Sequence, residues 1–542
     1  MKKFLAMIMA LAMMLSLATT AFAADTYTIT INSDKAGHTY EAYQIFTGTI
    51  IDNTDDDNDD EPGTNAILTN IQWGEGVDHS KVTDTAEEVA MKLSSGELTA
   101  QGLIEMVNNG TLTLTNPTGT SVHKPNNNLY EIQNLPAGYY LIKDKDDSLS
   151  GANAYTEFIL EVLEDSTVNP KGSVPEVEKK IKDINDSEET DIDEKVWQDS
   201  ADHDVGDIIP YKLEATLADN LEKYENGYDI VFHDYMSVGL TYKAISSVKI
   251  VNSENDVITL NAGQYIVKYE NVSDIEGTEL VEHSKLTVSI DSIAGKGGKD
   301  GCKVIVEYTA QLNENAVVGS LGNPNEVYLT FSRNPYEDND YGETPRDRVI
   351  AFTYKVVVNK VREDGVDDKN KPVYAPLSGA TFTLEKWYKT GVDENGKETG
   401  AWQMLKTVET KPDTTFTFSG LDDGWYRLTE TKAPNGYNEI DPIYFNVNAA
   451  HDEESDDPEL TMLSATETKK TGDTLGEGDV GTFEIIHDEE ANALTTSIVN
   501  RAGVVLPETG GIGTTIFYVA GALMVLCAVI LLITKKRMNV AE

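Results

Sequence analysis

Cysteine is nearly absent. The 542 residues include two, Cys302 and Cys527, which excludes the disulfide-stapled scaffolds on which many exported domains depend. Basic residues are also scarce, 43 Lys+Arg against 92 Asp+Glu. That balance excludes the electropositive footprint of a nucleic-acid binder and predicts a soluble, self-repelling surface. The eight histidines are scattered without metal-ligand spacing, so neither metal nor cofactor is expected. The acidic run Asp55 to Glu61 lacks the alternating oxygen ligands and bend glycine of a calcium loop and reads as solvated loop. The glycines between Gly295 and Gly301 lack the Lys-Ser/Thr ending of a phosphate loop and read as a strand connection. No nucleophile–histidine–acid set is visible, so a turnover enzyme is not expected.

Two long apolar runs stand at the ends. Lys2-Lys3 precede an apolar stretch from Phe4 to Leu17, and Ala21-Phe22-Ala23 supplies small residues for cleavage. Residues 1–23 therefore read as a secretory signal peptide. The second run, 512–533, is followed by Lys535-Lys536-Arg537. About twenty apolar residues span a bilayer's hydrocarbon, and the basic cluster stays on the cytoplasmic side. Everything before Leu506 then lies outside the cell. Directly before the span stands Leu506-Pro507-Glu508-Thr509-Gly510. Pentapeptide, span and basic tail together, over 506–542, resemble the sorting signal of Gram-positive sortase substrates. The resemblance implies that a sortase cuts between Thr509 and Gly510 and passes the Thr509 carboxyl to an amine. The membrane then holds the chain only before sorting. Cys527 would be discarded with the span, so the exported part must find its stability elsewhere than in disulfides.

Residues 24–505 suffice for about three domains of ordinary size. The first, 24–171, opens on Tyr27-Thr28-Ile29-Thr30-Ile31, which alternates as a strand does. Thr85 to Leu93 and Thr99 to Val107 carry apolar residues at helical spacing, and strand character returns from Tyr130 to Val162. This domain reads as mostly β with a helical insertion. The second, 172–350, is a series of short β-rich runs separated by Gly, Asn and Asp, the pattern of a sandwich. Ser332 to Arg348 reads as a linker. The third, 351–503, starts at Phe352 and repeats the sandwich pattern, with Met462 to Gly478 read as a long loop. The expected fold class is mainly β, with tandem immunoglobulin-like sandwiches.

Strand alternation also exposes an anomaly. In Glu176-Val177-Glu178-Lys179-Lys180-Ile181, Lys179 shares a face with Val177 and Ile181, while Glu178, Lys180 and Lys182 face solvent. In the third domain Lys360 shares a face with Val356 and Val358. An unpaired buried ammonium is costly, so each lysine needs a partner. Asn325 shares a face with Val327, Leu329 and Phe331, and Asn500 shares one with Ile498. If first and last strands are neighbours, each lysine meets an asparagine.

With these residues in place the chain resembles the major pilins of Gram-positive bacteria, with their collagen-binding B-type (prealbumin-like) domains. The resemblance implies intramolecular isopeptide bonds, Lys179 to Asn325 and Lys360 to Asn500, each assisted by a buried acid. Glu430 is the implied acid of the third domain, in Tyr426-Arg427-Leu428-Thr429-Glu430-Thr431-Lys432-Ala433-Pro434-Asn435-Gly436-Tyr437, which is similar to the family's E-box. Asp234, before Gly239-Leu240-Thr241, is the implied acid of the second. Lys180 is the alternative to Lys179. The first domain lacks such a set, and no cross-link is expected there. Val168-Asn169-Pro170-Lys171 is similar to the pilin motif, whose lysine accepts the next subunit's sorted threonine; Asn169 and Gly172 depart from the usual pattern. The implied function is a pilus backbone subunit joined through Thr509 to Lys171 of the next copy and anchored to peptidoglycan. Implied partners are a sortase, identical subunits, ancillary pilins and host surface ligands. A wall-anchored adhesin or ancillary pilin is the alternative.

Overall fold

A computed structural model describes residues 26–33, 36–52, 66–126, 129–170, 174–253, 256–272, 283–410, 412–467, 485–488, 492–503 and 512–538. The signal peptide, the acidic run Asp55 to Glu61, Lys171 and the pentapeptide Leu506 to Gly510 lie outside the described residues. The described chain is mostly β, arranged as successive two-sheet units of immunoglobulin-like type, with one apolar helix near the C-terminus.

In the first unit, Thr26–Asn32 lies between Ser166–Val168, to which it runs parallel, and Leu129–Pro136. The facing sheet carries Glu157–Val162, Gly138–Asp144, Tyr40–Asp52 and Ala66–Trp73. Ile29, Ile31, Ile132, Tyr140 and Ile142 fill the space between the sheets. The insertion forms two helices, Ala86–Ser95 and Ala100–Asn108. Thr85 caps the first: its hydroxyl accepts from the Glu88 amide while the Glu88 carboxylate accepts from the Thr85 amide. Gly96, at φ 75°, ends that helix in a left-handed conformation that a residue without Cβ adopts at little cost.

The second unit pairs a smaller sheet with a larger one. The smaller runs Glu176–Ile181, Ile208–Thr216, Lys303–Leu312, Leu240–Val251, Val257–Thr259. The larger runs Ser200–Asp202, Asp347–Phe352, Asn323–Ser332, Ile230–Ser237, His283–Ile290, Ile266–Val272, with Tyr341–Glu343 against Asn323–Ser332. Inward residues alternate along each strand, as with Val304, Val306, Tyr308, Ala310 and Leu312, all 0% exposed. Three sequence expectations change here. The segment read as a linker contributes two strands, Tyr341–Glu343 and Asp347–Phe352, and the latter runs past residue 350. Asn323–Ser332 is therefore an interior strand of its sheet, not the closing one. Lys182 is also not on a solvent face. The strand ends at Ile181, alternation stops, and the Lys182 ammonium donates to the Asp193 carbonyl at 2.8 Å, 5.0 Å from the Trp197 ring.

In the third unit, Tyr354–Val366 pairs parallel with Ala493–Asn500 and antiparallel with Thr415–Leu421 and Pro372–Pro376. Opposite lie Glu398–Glu409, Thr381–Val392, Gly424–Lys432, Ile443–His451 and Leu460–Glu467. The last of these occupies part of the stretch read as a long loop. Only Leu463 of that strand is fully buried, so its polar composition hid it. Glu398–Glu409 escaped sequence reading for the same reason: its side chains are mostly exposed and carry little alternation. The C-terminal helix, Ile512–Met538, is strongly apolar over Phe517–Lys536, and none of that stretch is buried. It is long and apolar enough to cross a bilayer.

Candidate functional sites: two buried lysine–acid–asparagine sets

Lys179, Asp234 and Asn325 are each 0% exposed. They do not meet along neighbouring strands. Lys179 projects from the outer strand of the smaller sheet, while Asp234 and Asn325 stand on adjacent strands of the larger, with Asp234 opposite Val327 and Asn325 opposite Met236. The set therefore closes across the sandwich. The Lys179 ammonium donates to Asp234 Oδ2. Its backbone amide donates to Asp347 Oδ2 at 2.5 Å, which pins the strand. Lys180 points outward and pairs with Asp199 at 2.7 Å.

Tyr308, which the sequence reading missed, sits at the centre. Its hydroxyl accepts from Lys179 Nζ at 2.9 Å and from Asn325 Nδ2 at 2.8 Å, and donates to Asp234 Oδ2 at 3.0 Å. A phenol has one hydrogen to donate and lone pairs to accept with, and all are used. Tyr308 thus holds the amine beside the carboxamide. The Tyr211 ring, stacked on Tyr308 at 5.3 Å, closes the pocket, with Lys179 Nζ 5.5 Å from its centroid. The signal was available: Tyr308 is an inward aromatic with a polar tip that must find a partner.

Burial sets the protonation. It pushes the Lys179 amine down against the pull of the Asp234 charge, and pushes the Asp234 carboxyl up against the pull of Lys179. Both shifts favour a neutral amine beside a protonated acid. Asp234 Oδ1 and Asn325 Oδ1 have no hydrogen-bond partner. A proton on the free acid oxygen would suit the amide carbonyl.

The third unit distributes its set differently. Lys360 and Asn500 lie on the neighbouring parallel strands, with Lys360 opposite Ile498 and Arg362 opposite Asn500. Glu430 comes from the facing sheet. Asn500 Nδ2 donates to Glu430 Oε2 at 2.9 Å and to the Asn438 carbonyl at 2.7 Å; Lys360 Nζ donates to the Ile498 carbonyl at 2.9 Å. Burial lowers the Lys360 amine to about 8 and raises Glu430. Again the second acid oxygen, Glu430 Oε1, and the amide oxygen, Asn500 Oδ1, are unpartnered.

That lowered amine has a measurable consequence. In an Asn500→Ala chain Lys360 stays a free amine. Its folded pKa of about 8 lies below its ordinary 10.5, so between those values the unfolded chain binds more protons and stability rises with pH. Below about 8 the full cost of burying the ammonium applies; above 10.5 it is gone. After allowance for partial solvent screening, the expected gain is about 2 kcal/mol. It is read by denaturant unfolding as the difference from a Lys360→Met/Asn500→Ala chain. A flat difference across that window would contradict it.

Lys386, also 0% exposed, behaves otherwise. Lys386 Nζ lies 2.7 Å from Asp204 Oδ2 and 2.9 Å from Asp422 Oδ2. Burial opposes its charge, yet Asp422, Tyr426 and the other acids outweigh it and hold the amine well above its usual range. It remains an ammonium and an ion-pair partner, not a nucleophile. No lysine among the described residues of the first unit is buried.

Comparison with known proteins follows the same lines. Residues 364–459 match the SpaA prealbumin-like fold domain, and residues 499–540 match the LPXTG cell wall anchor motif. The trypsin-resistant surface T6 protein of Streptococcus pyogenes serotype M6 is 24% identical over 68% of this chain and 70% of its own length. The fimbrial subunit type 1 of Actinomyces viscosus is 25% identical over 41% of this chain and 40% of its own. Among solved structures, the T6 backbone pilin of serotype M6 Streptococcus pyogenes superposes with a TM-score of 0.45 at 17% identity, covering 89% of this chain and 99% of that one. Sandwich domains followed by a sorting signal define a cell-wall-anchored surface protein. Within that class, the prealbumin-like domain, the anchor motif and a fimbrial-subunit relative support a pilin of the Gram-positive, sortase-assembled kind, a subunit of a wall-anchored pilus.

Proposed function

We propose that this subunit forms the backbone of its pilus, that sortase joins Thr509 of one copy to Lys171 of the next, and that two internal isopeptide bonds, Lys179–Asn325 and Lys360–Asn500, make each copy resistant to force and proteolysis. In each bond-forming step the neutral lysine amine attacks the asparagine carboxamide carbon, the acid donating to the carbonyl oxygen as it becomes an oxyanion. The new C–N bond forms, the old one breaks, and Nδ2 leaves with the lysine's surplus proton as ammonia. The reaction happens once per bond, so the chain is a substrate of its own fold and not a turnover enzyme.

The observation that carries this reading is the recurrence, in two differently wired sandwiches, of an inward lysine beside an acid and an asparagine whose second oxygens are both orphaned. Head-to-tail joining is a heterologous contact that does not close, so it extends as a fibre. The approach to Lys171 favours its use as acceptor. Ser166–Val168 pairs with the first strand, Asn32 Nδ2 donates to Asn169 Oδ1 at 2.8 Å, and Pro170 restricts the backbone next to it. A groove of about 460 Å³ lined by Leu160, Val168, Pro170 and Asn220 gives an incoming peptide somewhere to lie. Peptidoglycan receives the basal copy, while ancillary pilins and host surface ligands are partners of the finished fibre.

Mass spectrometry of the intact chain tests the internal chemistry. Two losses of about 17 Da each, one ammonia per bond, are expected against the mass of the sequence. A mass equal to the plain sequence would overturn both bonds.

A further inference from the structure

The second and third units meet over buried carboxylates that neither cross-link site uses. Asp202 ends the strand Ser200–Asp202, at the edge of the second unit's larger sheet. Asp422 and Asp423 occupy the turn between the third unit's strands Thr415–Leu421 and Gly424–Lys432. One carboxylate oxygen from each of the three lies within 4.8 Å of the other two.

The cations nearby satisfy only part of this group. Lys386 is engaged with Asp204 and with Asp422 Oδ2. His451 Nε2 stands 3.6 Å from Asp202 Oδ1 and 3.7 Å from Asp183 Oδ2. That leaves Asp202 Oδ2 and Asp423 Oδ1 without a hydrogen-bond partner. The Asp202 side chain is only 4% exposed, so water does not compensate it freely. Burial, and the Asp202 charge beside it, keep the neighbouring Tyr354 hydroxyl protonated. Orphaned carboxylate oxygens buried against other carboxylates point to a missing positive charge, since burial removes the solvent that would otherwise screen them.

We propose that Asp202, Asp422 and Asp423 form a site for a hard divalent cation of the calcium class, shared between the second and third units. The donors are all oxygen, the set preferred by such ions, whereas zinc and copper sites are usually built with nitrogen or sulfur ligands among them. A calcium ion with ligands at about 2.4 Å holds opposite oxygens about 4.8 Å apart, the limit within which these three fall. Because one ligand comes from the second unit and two from the third, the ion would clamp the junction between them. It would do so without touching the covalent bonds inside either unit. Sequence reading missed the site because its acids are separated by some two hundred positions and follow no loop pattern.

The test uses the full-length chain in detergent, stripped with a chelator and titrated with calcium chloride by calorimetry. Terbium luminescence on tyrosine excitation serves as a second readout, with Tyr354 as the nearby donor. The parent is expected to bind one calcium ion that Asp423→Asn weakens about tenfold or more, and to become less sensitive to protease around Thr353 when calcium is added. Asp202→Asn serves equally if Asp423→Asn fails to fold by circular dichroism. Absence of both calcium heat and terbium emission from the parent would overturn the site. So would a folded Asp423→Asn or Asp202→Asn chain that titrates like the parent. Magnesium binding tighter than calcium would overturn the calcium-class assignment.

Discussion

A chain carrying Lys171→Ala is expected to reach the cell wall as a single species and to yield no polymer. Amide bonds survive boiling in detergent, whereas noncovalent contacts do not. Wall extracts of the parent should therefore show a ladder of multimers, and extracts of the variant should collapse to the monomer. The loss should be complete, because each link consumes one acceptor amine and no other lysine follows the strand Ser166–Val168 at that place. Transfer of Thr509 to peptidoglycan should persist, since it needs only the sorting signal. A ladder that survives Lys171→Ala would move the acceptor to another lysine. A parent that forms no ladder would favour a monomeric adhesin.

Asn325→Ala is expected to regain the mass of one ammonia and to lower the melting temperature of the second unit by about 10–20 °C. A bond from Lys179 to Asn325 closes a loop of more than a hundred residues, worth about 5 kcal/mol if disulfide loop entropy is a fair guide. For a domain of this size, each kcal/mol shifts the midpoint by about 2–4 °C. The variant also leaves Lys179 buried without the bond that would have neutralised it, which adds to the cost. Calorimetry and intact mass measured together make the result decisive: a full mass deficit in Asn325→Ala, or an unchanged midpoint after its loss, would contradict the assignment. Tyr308→Phe keeps the ring and removes the hydroxyl that holds amine and carboxamide together. It should reach the full deficit more slowly while changing the finished domain's midpoint little.

The two lysine–acid–asparagine sets differ in how far they could be read in advance. Period-two alternation is a local property, so the inward aim of Lys179, Asn325 and Lys360 followed from their immediate neighbours. Glu430 and Asp234 came through resemblance, from the residues that follow them. The supposed meeting of first and last strands did not hold for the second unit, where Asn323–Ser332 is flanked by Ile230–Ser237 and Asp347–Phe352 and the lysine reaches across the core. It does describe the third, where Tyr354–Val366 and Ala493–Asn500 pair directly. Strands with two exposed faces, such as Glu398–Glu409, left too little alternation to be seen.

What the chain's order of residues settled alone was its sorting signal, its β character and which lysines turn inward, because each depends on a few consecutive side chains and their contact with water or lipid. Tertiary structure decided who meets them. Tyr308 stands between Lys179 and Asn325, and Asp202 faces Asp422 and Asp423 across a domain junction, only because sheet order and domain packing bring distant segments together. Such contacts are set by the summed burial of whole sheets, which no short stretch of sequence encodes.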